Sequence, residues 1–527
     1  MSSPYDGGRP GGEPAAYDGG PPAPLDAPDA DEWRRLSTRM MLVHPVKELI
    51  RFLPAVIGLL IAGSTSNGGQ WWWGLIGTAF AIGLGLLRWF TTRYRFSDEQ
   101  VQLRHGLLSR TTKTAPIDRV RTVDVTASPL HRLLGLAEVK IGTAAATDDN
   151  ELALDGLTTA EAAALRGDLL HRRRGVAGGE SRPAGVPDES ASEPTAFEEE
   201  IVRLDPRWIR FAPFGPSGVI AAAAILGVGF QVLNEIGFDP DENAAVREGL
   251  DQAERIGVWI AVLLLVIGVA ALVVLLSLAG YVLLYWGFRL TRHAQGGTLH
   301  VSRGLLTTRA ITLEEKRIRG VELSESLALR SVGGARLSAI TTGLKGSDDK
   351  ALSSLLVPPA PRVVAADVAD RVLRAAGTLA VPLRSHGPAA ARRRYTRALT
   401  GGLAVAAVVA VAGYLVHPAL ALLAVLPVFA ALLLAADRVR SLGHQVTDRY
   451  LVARSGSLVR GTEVIERSGV IGVTMRRSYF QRRAGVATLT VATAAGAERY
   501  EVLDVPYDAS ADLAEALLPG HLDTFRQ

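Results

Sequence analysis

Apolar and polar side chains alternate at Val101-Gln102-Leu103-Arg104-His105, and again at Ala137-Glu138-Val139-Lys140-Ile141-Gly142-Thr143. A period of two marks a strand with one buried face. Gly106 ends the first of these runs, where a hairpin turn needs it. Between the runs, 129–134 breaks the alternation and suits a short helical turn ended by Gly135. Further on, Thr158, Thr159 and Glu161 resemble a helix N-cap, and 162–172 follows as the helix. The stretch therefore predicts short strands closed by one helix.

The chain writes this stretch three times, at 94–143, 288–342 and 444–494. His105-Gly106-Leu107-Leu108 matches Arg303-Gly304-Leu305-Leu306 and, more loosely, Ser455-Gly456-Ser457-Leu458. Leu130-His131-Arg132-Leu133-Leu134-Gly135 matches 328–333 and 480–485. Closing helices are expected at 365–376 and 508–518. Copies separated by more than a hundred residues imply one domain used three times, not a solenoid module.

A long apolar region precedes each copy. The first holds 49–63 and 71–90, with Trp71, Trp72 and Trp73 as an interfacial aromatic belt. The second holds 218–233 and 256–286. The third holds 399–416 and 420–436, turned at His417-Pro418. Residues 256–284 are long enough to cross about 30 Å of hydrocarbon. Arg34, Arg35, Arg39, Lys47 and Arg51 lie before the first pair, and Arg88, Arg93 and Arg95 after it. The connector 235–254 is acidic instead. Basic loops stay inside, so the expectation is six transmembrane helices in three hairpins, with both termini and all three repeats cytoplasmic.

The expected fold class is thus an α+β membrane protein in which each hairpin is followed by a small β-rich domain closed by a C-terminal helix. Its boundaries are a disordered tail at 1–32, hairpins at 45–90, 212–286 and 398–436, domains at 91–174, 287–378 and 438–520, and a flexible acidic linker at 175–200. The tail is rich in Gly, Pro, Ala and Asp and lacks a signal peptide's basic start and apolar run. The first hydrophobic helix is then expected to act as the targeting signal.

Composition agrees. The chain is 48% hydrophobic yet 21% charged, and its mean hydropathy of +0.20 is reconciled by the uneven distribution just described. There are no cysteines, so neither disulfides nor thiolate chemistry is available. A net charge of +4 is too small to argue for nucleic acid. No Walker loop, HExxH, GxSxG or Rossmann glycine pattern occurs, so the reading is non-enzymatic, without a cofactor or metal.

The three units resemble the bacterial pleckstrin-homology-like domains of YdbS/YdbT-type membrane proteins. The matching words are Pro116-Ile117-Asp118-Arg119-Val120-Arg121-Thr122-Val123, Pro129-Leu130-His131-Arg132-Leu133-Leu134-Gly135-Leu136, and the strand after them. Copy three departs, with Glu466-Arg467-Ser468-Gly469-Val470 in place of the Asp-Arg-Val word. The resemblance implies a bacterial cell-membrane protein that presents PH-like domains for lipid-surface or protein binding, and a part in envelope protection against membrane-active compounds. The partners implied are membrane lipids, another membrane protein of the same family, or a second copy. A transporter or transporter accessory subunit is the alternative, disfavoured because the apolar segments carry almost no ionisable residue.

The candidate lipid- or partner-binding residues are Arg119, Arg121 and Arg132 in copy one, and Arg317, Arg319 and Arg330 in copy two. Beside an inner leaflet, each would meet lipid phosphate at about 1 kcal/mol. The competing expectation is that these arginines pair with Asp118, Asp124, Glu315 and Glu322 beside them and serve folding only.

Overall fold

Hairpin glycines set the first layer of each repeat. Gly304 (φ 109°) and Gly456 (φ 97°) occupy the left-handed region, and a Cβ on either would stand 2.0 Å from the carbonyl oxygen of Thr307 or Val459. Only glycine fits there. The computed structural model describes residues 90–97, 100–106, 111–116, 120–143, 152–162, 198–215, 217–235, 257–293, 297–342 and 353–519, with isolated positions between 33 and 87 and at 165 and 248.

Repeat one supplies β1 (Arg34–Arg35), β2 (Arg93–Phe96), β3 (Gln100–His105) and β4 (Thr111–Pro116), then β5 (Val120–Ala127), β6 (Leu136–Thr143) and β7 (Leu152–Thr158). Repeat two supplies β8 (Glu198–Arg203), β9 (Arg289–His293), β10 (Thr298–Arg303) and β11 (Thr308–Glu314), then β12 (Ile318–Ser326), β13 (Gly334–Thr341) and β14 (Leu355–Pro361). Repeat three supplies β15 (Gly443–Val446), β16 (Tyr450–Ser455) and β17 (Val459–Glu466), then β18 (Val470–Arg476), β19 (Val486–Thr493) and β20 (Arg499–Pro506).

The sheets do not stop at repeat boundaries. β5 of repeat one pairs antiparallel with β11 of repeat two, placing Val123 opposite Thr312. β12 of repeat two pairs with β17 of repeat three, placing Val321 opposite Val464. The result is a seven-stranded sheet, β7-β6-β5-β11-β10-β9-β8, and a six-stranded sheet, β14-β13-β12-β17-β16-β15. Two shorter sheets stand at the ends, β1-β2-β3-β4 and β18-β19-β20.

A short helix separates β5 from β6, and its counterparts follow β12 and β18: α1 (Pro129–Leu134), α4 (Leu327–Ser331) and α8 (Tyr479–Ala484). Each starts at a serine whose hydroxyl accepts a backbone N–H: Ser128 from His131, Ser326 from Leu329, Ser478 from Gln481. This is ordinary N-capping, and the degenerate third copy adds the reciprocal bond, in which the Ser478 N–H donates to Gln481 Oε1. Closing helices follow repeats two and three, α5 (Arg362–Leu373) and α9 (Tyr507–Leu517). Ala365, Val368, Ala369 and Val372 form one buried stripe on α5, at the spacing a helix needs to cover a sheet.

One apolar core runs through repeat two and into Tyr450, Val452 and Val464 of repeat three. A second core includes Ile340 of repeat two among residues of repeat three. Burying each large side chain contributes about 1.5–3 kcal/mol. The second seam thus shares the cores of the units it joins, whereas the core around Val123 and Val139 is made of residues 40–162.

The acidic stretch expected as a linker to 200 ends in structure: Glu198, Glu199 and Glu200 belong to β8 and pair with β9. Glu199 lies 3.3 Å from Arg292, and Glu200 lies 3.4 Å from Arg289. Those cations explain why acidic residues take an edge strand there.

Among the described residues, three helices are long and apolar enough to cross a membrane, Ile260–Tyr285, Gly387–Val416 and Pro418–Ser441. They comprise 26, 30 and 24 residues, which at about 1.5 Å per residue exceeds a hydrocarbon core. The helix before them, α2 (Ser217–Glu235), has a shorter apolar stretch, Ile220–Gly229. Most of the expected first hairpin, 45–90, lies outside the described residues. The described count therefore stands at three of the six expected spans. The long helices are α3 (Val258–Tyr285), α6 (Gly387–Val416) and α7 (Val425–Ser441), with Pro418–Ala424 as a 3-10 turn before α7.

Candidate functional site

The first seam holds a cavity of about 520 Å³ between repeats one and two. Val125, Ala127 and Ala137 supply apolar wall from one side, and Ser302, Arg303, Thr308 and Arg309 face them from the other. Arg132 and Trp286 also line it. The position of Trp286 fixes the level of the cavity. It follows α3 directly, is 55% exposed, and its carbonyl accepts the N–H of Gly304. The N–H of Leu305 donates to Leu283, still inside the helix. The β10–β11 turn is thus stapled to the end of an apolar helix, the depth at which tryptophan prefers the membrane–water boundary.

Arg303 is 4% exposed, with its guanidinium 6.0 Å from the centre of the Tyr285 ring. Burial pulls its pKa down, Tyr285 and Asp124 oppose that, and Arg309 and Arg336 reinforce it. An arginine stays charged through such a shift. Arg132, Arg303 and Arg309 therefore bring three guanidinium groups to one cavity with apolar walls. Planar donor forks of this kind match phosphate oxygens.

The structure distributes the sequence-derived candidates along the seams. Arg119 lies outside the described residues. Arg121 is placed on β5 by its backbone alone. Arg132, exposed on α1, donates to the Leu305 carbonyl across the first seam. Arg317 pairs within its own repeat with Glu314, at 2.8 Å. Arg319 crosses the second seam to Glu466, at 3.2 Å. Arg330 reaches Asp437 on α7 at 2.9 Å, and Arg460 reaches the other oxygen of Asp437, also at 2.9 Å. Glu315, a neighbour in sequence, takes Arg292 and Arg374 instead. Arg132, Arg319 and Arg330 thus make contacts between repeats or with a hairpin.

A second polar knot ties the third hairpin to the third unit. His386, 3% exposed at the start of α6, lies 2.7 Å from the Leu503 carbonyl through Nδ1 and 2.7 Å from Nδ1 of His444 through Nε2. A carbonyl only accepts, so Nδ1 of His386 carries the proton and Nε2 accepts from His444. Burial lowers both pKa values, that of His444 to about 4. Beside them Asp504, 4% exposed, holds Arg394 at 2.8 Å, Arg393 at 3.4 Å and the Gln481 amide at 2.9 Å. The geometry fastens α6 to β20 and α8.

Sequence reasoning missed Arg303, Arg309 and Trp286. Arg303 precedes the hairpin glycine where copy one has His105 and copy three has Ser455, so comparing the repeats marks it as variable. Among the described residues, no group of three or more His, Cys, Asp or Glu side chains is placed to hold a metal ion.

A family model described as a bacterial PH domain matches the chain three times, over 48–173, 254–376 and 401–519. The UPF0699 transmembrane protein YdbT of Bacillus subtilis (strain 168) is 20% identical over 267 residues, which is 50% of this chain and 52% of that protein. The chain thus spans about half the length of the curated relative it matches. No solved structure matches.

Proposed function

Since the chain belongs to the bacterial PH domain family, we propose that it is a non-enzymatic membrane protein whose PH-like units bind anionic lipid headgroups at the cytoplasmic surface. The observation that carries this reading is the arginine-lined cavity of the first seam, set at the end of α3 beside Trp286. Its size falls in the ordinary range for small-ligand sites. Its chemistry suits a phosphate with apolar substituents, which is what a phospholipid offers at that depth. The remaining topology follows the basic loops: three hairpins, six spans, both termini and all three units inside.

The candidate arginines fit the same picture. Arg132 lines the cavity, and Arg319 and Arg330 hold the units together beside the bilayer, while Arg119, Arg121 and Arg317 stay candidates on their sequence alone. A protein that gathers anionic lipid under a fixed array of domains is suited to guarding the envelope against membrane-active compounds. The transporter alternative finds no comparable support, because α3 carries no Asp, Glu, Lys or Arg.

The test uses the full chain in nanodiscs of mixed phosphatidylglycerol and phosphatidylethanolamine, with retained lipid identified by native mass spectrometry. Phosphatidylglycerol should be enriched on the wild type and lost from Arg132→Gln/Arg309→Gln. Equal retention of the two lipids by the wild type would refute the reading.

A further inference from the structure

The two internal seams are one device used twice. Val123 faces Thr312, and the residues at the same places in the next copy, Val321 and Val464, face each other. Asp124 faces Ile311, and their counterparts Glu322 and Glu463 face each other. In each seam the first strand of a repeat's second sheet joins the last strand of the next repeat's first sheet. Among the described residues, two strands of these same kinds are paired on one edge only: β4 of repeat one, with β3, and β18 of repeat three, with β19.

These two strands carry the marks of an unfilled seam. Leu323 on β12 is 0% exposed, but Met475, at the same place on β18, is 39% exposed. Thr312 on β11 is buried, whereas its counterpart Thr114 on β4 is exposed. A Cβ on Gly320 would fall 1.9 Å from the Val464 carbonyl across the second seam, but Gly472, its counterpart on β18, has nothing within 4 Å.

We infer that β18 of one chain pairs antiparallel with β4 of a second copy, so that the protein assembles head to tail in its membrane. The internal seams fix the register: Val473 opposite Thr114, Thr474 opposite Lys113, Met475 opposite Thr112, Arg476 opposite Thr111. Lysine and arginine on an exposed edge oppose indiscriminate strand addition. In this register each of those cations meets a threonine, as Arg309 already meets Thr126 in the first seam. The contact is heterologous, so it closes into a ring or extends as a row. It is compatible with a bilayer, because the second seam already joins two units that each follow an apolar helix.

The chain's lack of cysteine allows a direct test. Chains bearing Lys113→Cys and Thr474→Cys, with tags of different size, are co-expressed in native membranes and mildly oxidised. A crosslinked dimer carrying both tags is expected, at least tenfold above the yield for Lys113→Cys with Ile471→Cys. Adding Gly472→Val to the Thr474→Cys chain should cut the yield by tenfold or more while the chain elutes as before, since that Cβ has room only when the edge is free. Three outcomes would overturn the inference: no mixed dimer from normally inserted chains, a monomeric crosslink within a double-cysteine chain, or capture of a different membrane protein in place of the second copy.

Discussion

Glu322 of the second repeat stands directly opposite Glu463 of the third, across the β12–β17 seam. Burial, then Glu322, then Glu501 push the Glu463 carboxyl up to about 7. Burial also raises Glu322, with Arg336 opposing. An acid whose pKa is raised on folding gives its full stability below the unfolded value of 4.5 and loses it as pH rises through 7. The second seam should therefore weaken between pH 4.5 and 7, by on the order of 3 kcal/mol. Glu463→Gln should raise the apparent melting temperature at pH 8 and flatten its pH dependence, as read by scanning fluorimetry in detergent. An unchanged profile would show that the pair is not buried as described.

The His386–His444 pair has the opposite sign. Both imidazoles titrate below their ordinary value in the folded protein, so stability is complete above 6.5 and is lost as pH falls toward 4. Acid should loosen the third unit from its hairpin first. The protection factors for hydrogen exchange at Arg384 and His444, whose backbones bridge each other, should fall at pH 5 relative to pH 7 once the slower intrinsic exchange at pH 5 is divided out. His386→Phe should show the faster exchange at both values.

Asp437 pairs with both Arg330 and Arg460, and all three side chains are half-buried. Asp437→Asn keeps the shape but leaves two cations facing a neutral amide, at a cost of about 2–4 kcal/mol. Arg330→Met removes one cation and should cost less. Limited proteolysis of the detergent-solubilised protein should show this ordering.

Gly320 and Gly472 occupy equal places in two repeats, and substitution should separate them. Gly320→Ala drives a Cβ into the Val464 carbonyl and should destabilise the second seam by about 2 kcal/mol or more. Gly472→Ala meets open space and should leave the isolated chain within about 0.5 kcal/mol. Thermal melts of the two variants in dilute detergent check the contrast.

The local structure was legible because it is written in short range. The alternation at 101–105 became β3, and the cap signature at Thr158 became a mutual bond, with Glu161 N–H donating to Thr158 Oγ1 at 3.2 Å and Thr158 N–H to Glu161 Oε2 at 2.9 Å. The third copy folds like the others although its Asp-Arg-Val word is gone, since the serine cap and the two glycines remain. The seams were not legible. Alternation gives a strand two faces but not the neighbour on its edge. Arg319 and Arg330 find their carboxylates 147 and 107 residues away, far outside any local window, so the acidic residues beside them in sequence were the wrong place to look. The cavity is invisible for the same reason, because its walls come from two repeats.

The claim that the first seam faces anionic headgroups is tested most directly by photocrosslinking. A benzoylphenylalanine introduced at Thr308, on the cavity wall, is irradiated in the full chain within native membranes, and the adducts are identified by mass spectrometry. The expected result is a phosphatidylglycerol or cardiolipin adduct that declines when Arg309→Gln is added. Adducts only to protein, or to phosphatidylethanolamine in proportion to its abundance, would contradict it.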